Sequence, residues 1–144
     1  PPHKVVGITG TNGKSTTTAL VHHILTEAGV PSLMGGNIGE AILAQEPLPE
    51  GGVYVLELSS FQIDLTFALD CDVAALTNIT PDHLDRYADF AAYAAAKERL
   101  FQMQARGTAV ICDEDEPTSA IAARLADAGK PPVRVKTVDL AAAG

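Results

Sequence analysis

The sequence lacks tryptophan, has only two cysteines and contains no long apolar segment. Cys71 and Cys112 stand far apart and outside any CxxC or Cys/His pattern. This disfavours a disulfide scaffold and a cysteine-based metal site, and predicts two buried thiols in a cytoplasmic protein. No run of about 18 apolar residues occurs, and no basic-then-apolar signal opens the chain. We therefore expect a soluble protein that does not enter a membrane.

Positive charge is also scarce. The 144 residues include 10 Lys and Arg against 18 Asp and Glu, which gives a formal net charge of -8. Nucleic acids and anionic membranes are bound by clustered cations, so neither is expected as a partner. An anionic ligand would have to be held locally, by backbone N–H groups, by one or two cations or by a metal ion.

What the sequence does contain is a regular alternation of β-branched segments with segments rich in Ala and Leu. Strands are predicted at 4–9, 31–34, 53–58, 73–77, 108–112 and 133–138, and helices at 14–28, 38–44, 90–105 and 117–128. Gly29 and Gly129 follow helical segments as left-handed caps, and Asp89 precedes another as an N-cap. The pattern predicts one α/β domain over residues 1–144, with a mostly parallel sheet flanked by helices, a three-layer sandwich like that of P-loop NTPases.

A glycine-rich segment follows the first predicted strand, at the sheet edge where ligands gather. Residues 7–16 read GITGTNGKST, in which glycines allow tight turns and the N-terminus of a helix at Lys14 favours anions. A strict P-loop has glycine where Ile8 stands, so the motif is a variant, and the alternative is a simple turn with an exposed lysine. As a phosphate site, it would place Lys14 on the β- and γ-phosphates and Ser15 on Mg²⁺.

Three further residues are candidates whose roles the residue pattern leaves open. Glu57 ends a strand that is apolar on both faces, where a carboxylate suits Mg²⁺ or has already turned to water. His83 falls in the first helical turn after Thr80 and Pro81, where it either contacts a metal or phosphate or bonds locally. Lys97 lies within an apolar helical stripe, so it either extends its ammonium group to an edge or is kept for chemistry as a neutral amine.

Five short motifs occur in a fixed order along the chain. They are GTNGKST at 10–16, GGNIG at 35–39, ELSSFQ at 57–62, TNITPDHLD at 77–85 and Ala96-Lys97. Together they resemble the central ATPase domain of the Mur ligases. Within that family, the ELSSFQ motif is similar to the motif of the branch that joins D-glutamate to UDP-N-acetylmuramoyl-L-alanine. The resemblance covers residues 4 to about 105, and after Thr108 only the α/β pattern continues.

The resemblance implies a set of site residues. ATP would be bound by the loop residues Gly10, Thr11, Asn12, Gly13, Lys14, Ser15, Thr16 and Thr17. The UDP-muramoyl substrate would face Asn37, Ser59 and Gln62. Two Mg²⁺ ions would be held by Ser15, Glu57, His83 and Lys97, with Lys97 carried as a CO₂-derived carbamate. The catalytic residues would be Lys14, His83 and Lys97.

The implied reaction is ATP-dependent amide bond formation in peptidoglycan precursor synthesis. The γ-phosphoryl group of ATP would activate the substrate carboxylate as an acyl phosphate, which the amino group of D-glutamate attacks. Members of the family also have an N-terminal UDP-binding domain and a C-terminal domain that closes over ATP and the amino acid. Because this chain matches the central domain alone and begins without Met, we expect a piece of a longer protein that is inactive by itself.

Two other classes of function are compatible with the phosphate loop. A sibling Mur-type or folylpolyglutamate-type ligase would use the same ATP site with a different carboxylate, although ELSSFQ disfavours the folate enzymes. A non-ligase P-loop module, such as a switch or a small-molecule kinase, would not account for Glu57, His83 and Lys97 at one edge of the sheet. A guanine-reading Asn-Lys-x-Asp tetrapeptide does not occur in the sequence.

Overall fold

The computed structural model describes residues 3–36, 48–64, 69–80 and 90–136, and for Phe61 the backbone alone. In chain order the elements are β1 (Lys4–Thr9), α1 (Lys14–Glu27), β2 (Ser32–Gly36), β3 (Val53–Glu57), α2 (Ser60–Asp64), β4 (Val73–Leu76), α3 (Phe90–Gln102), β5 (Thr108–Cys112), α4 (Glu116–Asp127) and β6 (Val133–Val135). Within these ranges, no helix combines the length and the apolar character that crossing a membrane requires.

The strands form one parallel sheet in the order β2-β3-β1-β4-β5-β6. The predicted α/β fold is therefore confirmed. From β1 the chain moves outward to β2, whereas from β4 it moves in the opposite direction to β5. The carboxyl ends of β1 and β4 consequently flank the point where the winding reverses, which is where a parallel sheet opens a crevice for ligands. The loop that follows β1 is the glycine-rich segment.

The sheet is covered on both faces because successive strand residues point to opposite sides. In β4, Ala74 and Leu76 belong to the larger core cluster, which also contains buried residues of α3 and α4. Ala75 instead packs with Ile8 and Val55 in the smaller cluster, against the helix α1. The result is a three-layer arrangement of helix, sheet and helix.

Most predicted elements are present with small shifts at their ends. The strands β1 and β5 have the predicted bounds, whereas β3 ends at Glu57, β4 at Leu76 and β6 at Val135. The weakly patterned second strand spans Ser32–Gly36, and α3 ends at Gln102 instead of residue 105. The short helix α2 was not predicted. The predicted helix at 38–44 and the cap at Asp89 lie outside the described residues.

The helix caps follow the sequence signals closely. Gly29 and Gly129 have φ angles of 77° and 81°, as expected for left-handed residues after α1 and α4. The helix α4 begins at a capping box in which Asp115 and Thr118 satisfy each other's backbone groups. One expectation about the thiols was wrong, since Cys71 is buried but Cys112, at the end of β5, is only half-buried. Both cysteines are free.

Two isoleucines on helices offer a matched test of where the core lies. Ile121 on α4 is 0% exposed, whereas Ile24 on α1 is 56% exposed. Truncation of Ile121 to Ala should lower the free energy of unfolding by about 2–5 kcal/mol, because it leaves a cavity. The same change at Ile24 should cost less than about 0.5 kcal/mol. Urea unfolding followed by circular dichroism measures both, and equal losses would show that the outer face of α1 is covered in the folded protein.

Candidate functional site

The loop between β1 and α1 adopts a conformation that its glycines make possible. Gly10 has a φ of 146°, and a Cβ atom there would lie 1.8 Å from Thr77 Oγ1. Gly13 has a φ of 85° and is itself the N-cap of α1, so the cap contributes no side chain to satisfy the first helical N–H groups. A helix N-terminus of this kind, reached through a tight glycine turn, favours a bound anion.

The segment after β4 forms hydrogen bonds with the backbone of the glycine-rich loop. Asn78 Oδ1 accepts a hydrogen bond from Asn12 N at 2.8 Å, and Asn78 Nδ2 donates to Asn12 O at 2.9 Å. Thr77 Oγ1 donates to the same carbonyl oxygen at 2.7 Å, and Thr11 N donates to Asn78 O at 2.9 Å. The side-chain amide of Asn78 thus pairs with Asn12 as a neighbouring strand would. We call this set of bonds between residues 11–12 and 77–78 the clasp.

Thr11 connects the loop to α3. Its Oγ1 accepts a hydrogen bond from Thr80 N at 2.9 Å and lies 3.0 Å from the hydroxyl group of Tyr93. Tyr93 is only 1% exposed, so its polar end is directed at the loop from within the core. The hydroxyl group of Thr11 therefore joins the glycine-rich loop to the segment 77–80 and to α3.

Lys97 is buried beneath the loop. It is 1% exposed, and its Nζ donates to Gly10 O at 3.1 Å and to Thr9 Oγ1 at 3.4 Å. The same ammonium group lies 5.0 Å from the centre of the Tyr93 ring, within range of a cation–π contact. Of the two alternatives that the sequence left open, extension to a solvent-exposed edge is excluded. The side chain instead points to the carboxyl end of β1.

The environment of Lys97 favours a neutral amine. Burial, and after it the positive charge of Lys14, lower the pKa of Lys97 from its ordinary value of 10.5 to about 7. Lys14 Nζ donates to Gly10 O at 2.9 Å and to Thr11 O at 3.2 Å. The carbonyl oxygen of Gly10 is therefore shared by the two lysines.

Glu57 lies at the carboxyl end of β3, beside β1. It is 3% exposed, and its Oε1 accepts a hydrogen bond from Ser15 Oγ at 2.9 Å. Its Oε2 is buried and has no hydrogen-bond partner among the described residues. A buried carboxylate oxygen without a partner is costly, so the geometry favours a cation at this position. The alternative, that Glu57 turns to water, is excluded by its burial.

Ser15 and Glu57 together fit a hard divalent cation. A hydroxyl and a carboxylate oxygen are ligands that Mg²⁺ prefers, and the ion usually retains several waters beside a few protein ligands. Within the part of the chain that the structure describes, no cluster of three or more His, Cys, Asp or Glu side chains could hold a metal ion. His83, the other predicted ligand, lies outside the described residues, and its role stays a prediction.

The predicted substrate-binding residues are placed only in part. Ser59 and Gln62 cap the short helix α2: Ser59 N donates to Gln62 Oε1 at 2.9 Å, and Gln62 N donates to Ser59 Oγ at 3.2 Å. They come two and five residues after Glu57, and they lie at the same edge of the sheet as the glycine-rich loop. Contact with a substrate stays a prediction for both. Asn37 comes after Gly36 and lies outside the described residues.

Some residues of the site were not predicted from the sequence. Thr77 and Asn78 belong to the TNITPDHLD motif, but no pattern in the sequence indicates their hydrogen bonds to the loop. Tyr93 stands one helical turn before Lys97 in the apolar stripe of α3, a position that predicts a core residue and does not reveal the contact of its hydroxyl group with the loop. Gly36 has a φ of 121°, and a Cβ atom there would lie 1.8 Å from Glu57 O, so its role is to let β2 approach β3 at the candidate metal ligand.

Comparison with known proteins is consistent with this geometry. The family model described as Mur ligase middle domain matches residues 8–143. The chain is 68% identical over 126 residues to a UDP-N-acetylmuramoylalanine--D-glutamate ligase of Sphingopyxis alaskensis, covering 87% of this chain and 29% of that protein. It is 71% identical over 123 residues to the protein of the same name from Novosphingobium aromaticivorans, covering 85% of this chain and 28% of the relative.

A solved structure shares the fold. It is that of a UDP-N-acetylmuramoyl-L-alanyl-D-glutamate--2,6-diaminopimelate ligase, with a TM-score of 0.74 and 25% sequence identity. The match covers 94% of this chain and 32% of the other. The chain thus spans less than a third of the length of each of these three proteins.

The contact between Gly36 and Glu57 can be tested with a matched glycine. Gly51 also has a positive φ, of 86°, but a Cβ atom there would meet nothing within 4 Å. Gly51→Ala should therefore cost only the strain of the left-handed conformation, about 1–2 kcal/mol of unfolding free energy. Gly36→Ala should cost more than about 3 kcal/mol, because it also collides with the backbone of β3. Similar losses in urea unfolding would contradict the close approach.

Proposed function

Because the chain belongs to the Mur ligase family as a middle domain, we propose that it forms the ATP-binding centre of a ligase that joins D-glutamate to UDP-N-acetylmuramoyl-L-alanine. The two relatives at 68% and 71% identity carry the name of that ligase, which supports D-glutamate as the amino acid. The product is an amide of a peptidoglycan precursor.

The observation that carries the proposal is the convergence of two lysines on the phosphate loop. Lys14 and Lys97 both donate to the carbonyl oxygen of Gly10, next to the N-terminus of α1. The ammonium group of Lys14 and the N–H groups at the N-terminus of α1 suit a polyphosphate, and they explain how a chain with net charge -8 can bind an anion, while Lys97 beside them is available as a neutral amine. The ATP-binding residues would be those of loop 10–17.

Divalent metal is the second component of the proposal. Ser15 Oγ and Glu57 Oε2, which has no partner in the described part of the chain, would hold one Mg²⁺, and His83 would be a further ligand. A second ion would use Lys97 as its carbamate. When bound, Mg²⁺ would supply positive charge next to the transferring phosphoryl group.

The protonation state of Lys97 supports its proposed carbamylation. Only a neutral amine adds CO₂, in a step that forms an N–C bond and releases a proton. With a pKa of about 7, roughly half of Lys97 is neutral at pH 7, whereas an ordinary lysine is neutral in only about one molecule in 3,000. The carbamate is an anion with oxygen ligands, and it would replace a buried cation with a group that binds Mg²⁺.

The chemistry of the chain's own residues is then positioning and charge stabilisation. The clasp fixes the loop so that its N–H groups and Lys14 surround the β- and γ-phosphates of ATP. The γ-phosphoryl group passes to the carboxylate of UDP-N-acetylmuramoyl-L-alanine, which gives an acyl phosphate and ADP. The amino group of D-glutamate attacks the acyl carbon, and inorganic phosphate leaves. Preorganised donors of this kind account for most of the catalysis of phosphoryl transfer.

The remaining substrate contacts are divided between this chain and parts of a full-length protein outside it. Asn37, Ser59 and Gln62 would face the UDP-muramoyl substrate. An N-terminal domain would bind the uridine diphosphate, and a C-terminal domain would bind D-glutamate and close over ATP. The 144-residue chain alone is therefore expected to form no amide product.

Phosphate release by the full-length protein tests the function. With ATP and UDP-N-acetylmuramoyl-L-alanine present, release should depend on D-glutamate. Lys97→Ala should lower kcat by at least about 100-fold, the loss typical of one electrostatic group in a phosphoryl-transfer site. Short-chain carboxylates should restore part of the activity, because they replace the missing carbamate.

The control for this variant is Lys130→Ala. Lys130 Nζ donates to Gln104 O at 2.9 Å, away from the phosphate loop, so its loss should leave kcat unchanged. Release that needs another amino acid would indicate a sibling ligase, whereas release that needs neither substrate would indicate a different P-loop ATPase. Either result would overturn the proposed reaction.

A ¹³C label tests the carbamate separately from turnover. Full-length protein held under a fixed pressure of ¹³CO₂ should show a carbamate carbon resonance that is missing from Lys97→Met. Because the neutral fraction of an amine with a pKa of about 7 rises across that value, the signal should grow between pH 6 and pH 8. The absence of this resonance at pH 8 would show that Lys97 acts as an unmodified amine.

A further inference from the structure

Asp115 connects two parts of the structure through the two oxygens of its carboxylate. Oδ1 accepts a hydrogen bond from Thr118 N at 2.8 Å and caps α4. Oδ2 accepts a hydrogen bond from Ile79 N at 3.1 Å, in the segment that follows β4. The donor Ile79 is 36 residues from Asp115 in sequence and the donor Thr118 is three residues from it, so one carboxylate joins a local cap to a long-range contact.

The hydrogen bond between Asp115 Oδ2 and Ile79 N is not needed to cap α4. The cap is completed by Thr118, whose Oγ1 donates to Asp115 O at 3.1 Å and accepts from Asp115 N at 3.4 Å. A serine at position 115 would serve as well, because Ser and Asp are about equally effective N-caps. Only a side chain with two acceptor oxygens satisfies Thr118 N and Ile79 N together.

Ile79 lies in the middle of the segment that forms hydrogen bonds with the phosphate loop. On one side of it, Asn78 pairs with the backbone of Asn12 in the clasp. On the other side, Thr80 N donates to Thr11 Oγ1 at 2.9 Å. The side chain of Ile79 is 2% exposed and packs in the larger core cluster. The bond to Asp115 therefore fixes the backbone between the two points at which the segment holds the loop.

The helix α4, which Asp115 caps, is anchored in the core. Ile121, Ala122 and Leu125 of α4 are buried in the same core cluster. Asp115 thus stands on an element that is anchored by packing, and it holds a segment that has no regular secondary structure. A hydrogen bond to a charged acceptor is stronger than one between neutral groups, which suits a contact that fixes a loop.

We infer that Asp115 is a positioning residue for the phosphate loop, acting through Ile79 N on the segment that carries the clasp. The inference rests on the proposed function, since it assigns the loop to ATP. Without the bond to Ile79, ATP would have to order the segment when it binds. Affinity would fall, whereas the bound geometry and the chemical step would be preserved.

Two variants separate this role from helix capping. Asp115→Ser keeps an N-cap oxygen for Thr118 N but is too short to reach Ile79 N as well. Thr118→Val removes a hydroxyl group from the same capping box and leaves both carboxylate bonds of Asp115 intact. Thr118 is 0% exposed, and valine has nearly its shape, so this control perturbs the same helix end.

The experiment uses the full-length protein and has two readouts. In steady-state phosphate release, Asp115→Ser should raise the KM for Mg-ATP about tenfold, the effect of losing one hydrogen bond to a charged group. Its kcat should change less than about threefold, and Thr118→Val should change neither constant by more than that. In hydrogen exchange of the nucleotide-free protein, the peptide containing residues 9–14 should exchange faster in Asp115→Ser alone.

The outcomes distinguish the inference from the function on which it rests. If wild-type protein releases no phosphate from ATP, the proposed function fails, while the exchange experiment still tests the mechanical connection. If wild type is active and Asp115→Ser keeps a normal KM and normal exchange in residues 9–14, Asp115 is a helix cap and the inference is wrong. Equal changes in both variants would also overturn it, because they would trace the effect to the helix end.

Discussion

The structure of the site depends on the pairing between Asn78 and the backbone of Asn12. A glycine-rich turn has few side chains with which to fix its own shape, and Gly10 and Gly13 occupy conformations that leave the loop wide freedom in isolation. The side-chain amide of Asn78 supplies both a donor and an acceptor to one residue of that turn. The shape of the loop is therefore set by the neighbouring strand connection, at the point where the sheet reverses its winding.

The same edge of the sheet carries two buried groups that would be unfavourable elsewhere. Lys97 is held under the loop with its pKa lowered to about 7 by burial and by Lys14. Glu57 keeps one buried carboxylate oxygen without a partner among the described residues. Such groups weaken a fold unless a ligand compensates them, and they cluster at functional sites for that reason. Phosphates and divalent metal would compensate both, which ties the stability of this edge to its ligands.

Local patterns predicted the fold well, because β1, α1, β5 and α4 carry their own periodicity and caps. The five-residue helix α2 was not predicted because it is too short to show a periodic pattern, although the Ser-x-x-Gln cap formed by Ser59 and Gln62 is a signal that could have indicated it. The burial of Lys97 could be read from the helical stripe, but the direction of its ammonium group could not. The contacts of Asn78 and Asp115 join residues 66 and 36 positions apart, and no local pattern in a single sequence reports such pairs.

The central claim is that Ser15 and Glu57 hold a metal ion next to phosphates on the glycine-rich loop. A crystal structure of the full-length protein with a nonhydrolysable ATP analogue and Mn²⁺, located by its anomalous scattering, tests this most directly. The account predicts an ion within about 2.3 Å of Ser15 Oγ and of Glu57 Oε2, with the β- and γ-phosphates on the N–H groups of loop 10–15. A nucleotide bound elsewhere, or an ion that leaves Glu57 Oε2 without a ligand, would contradict it.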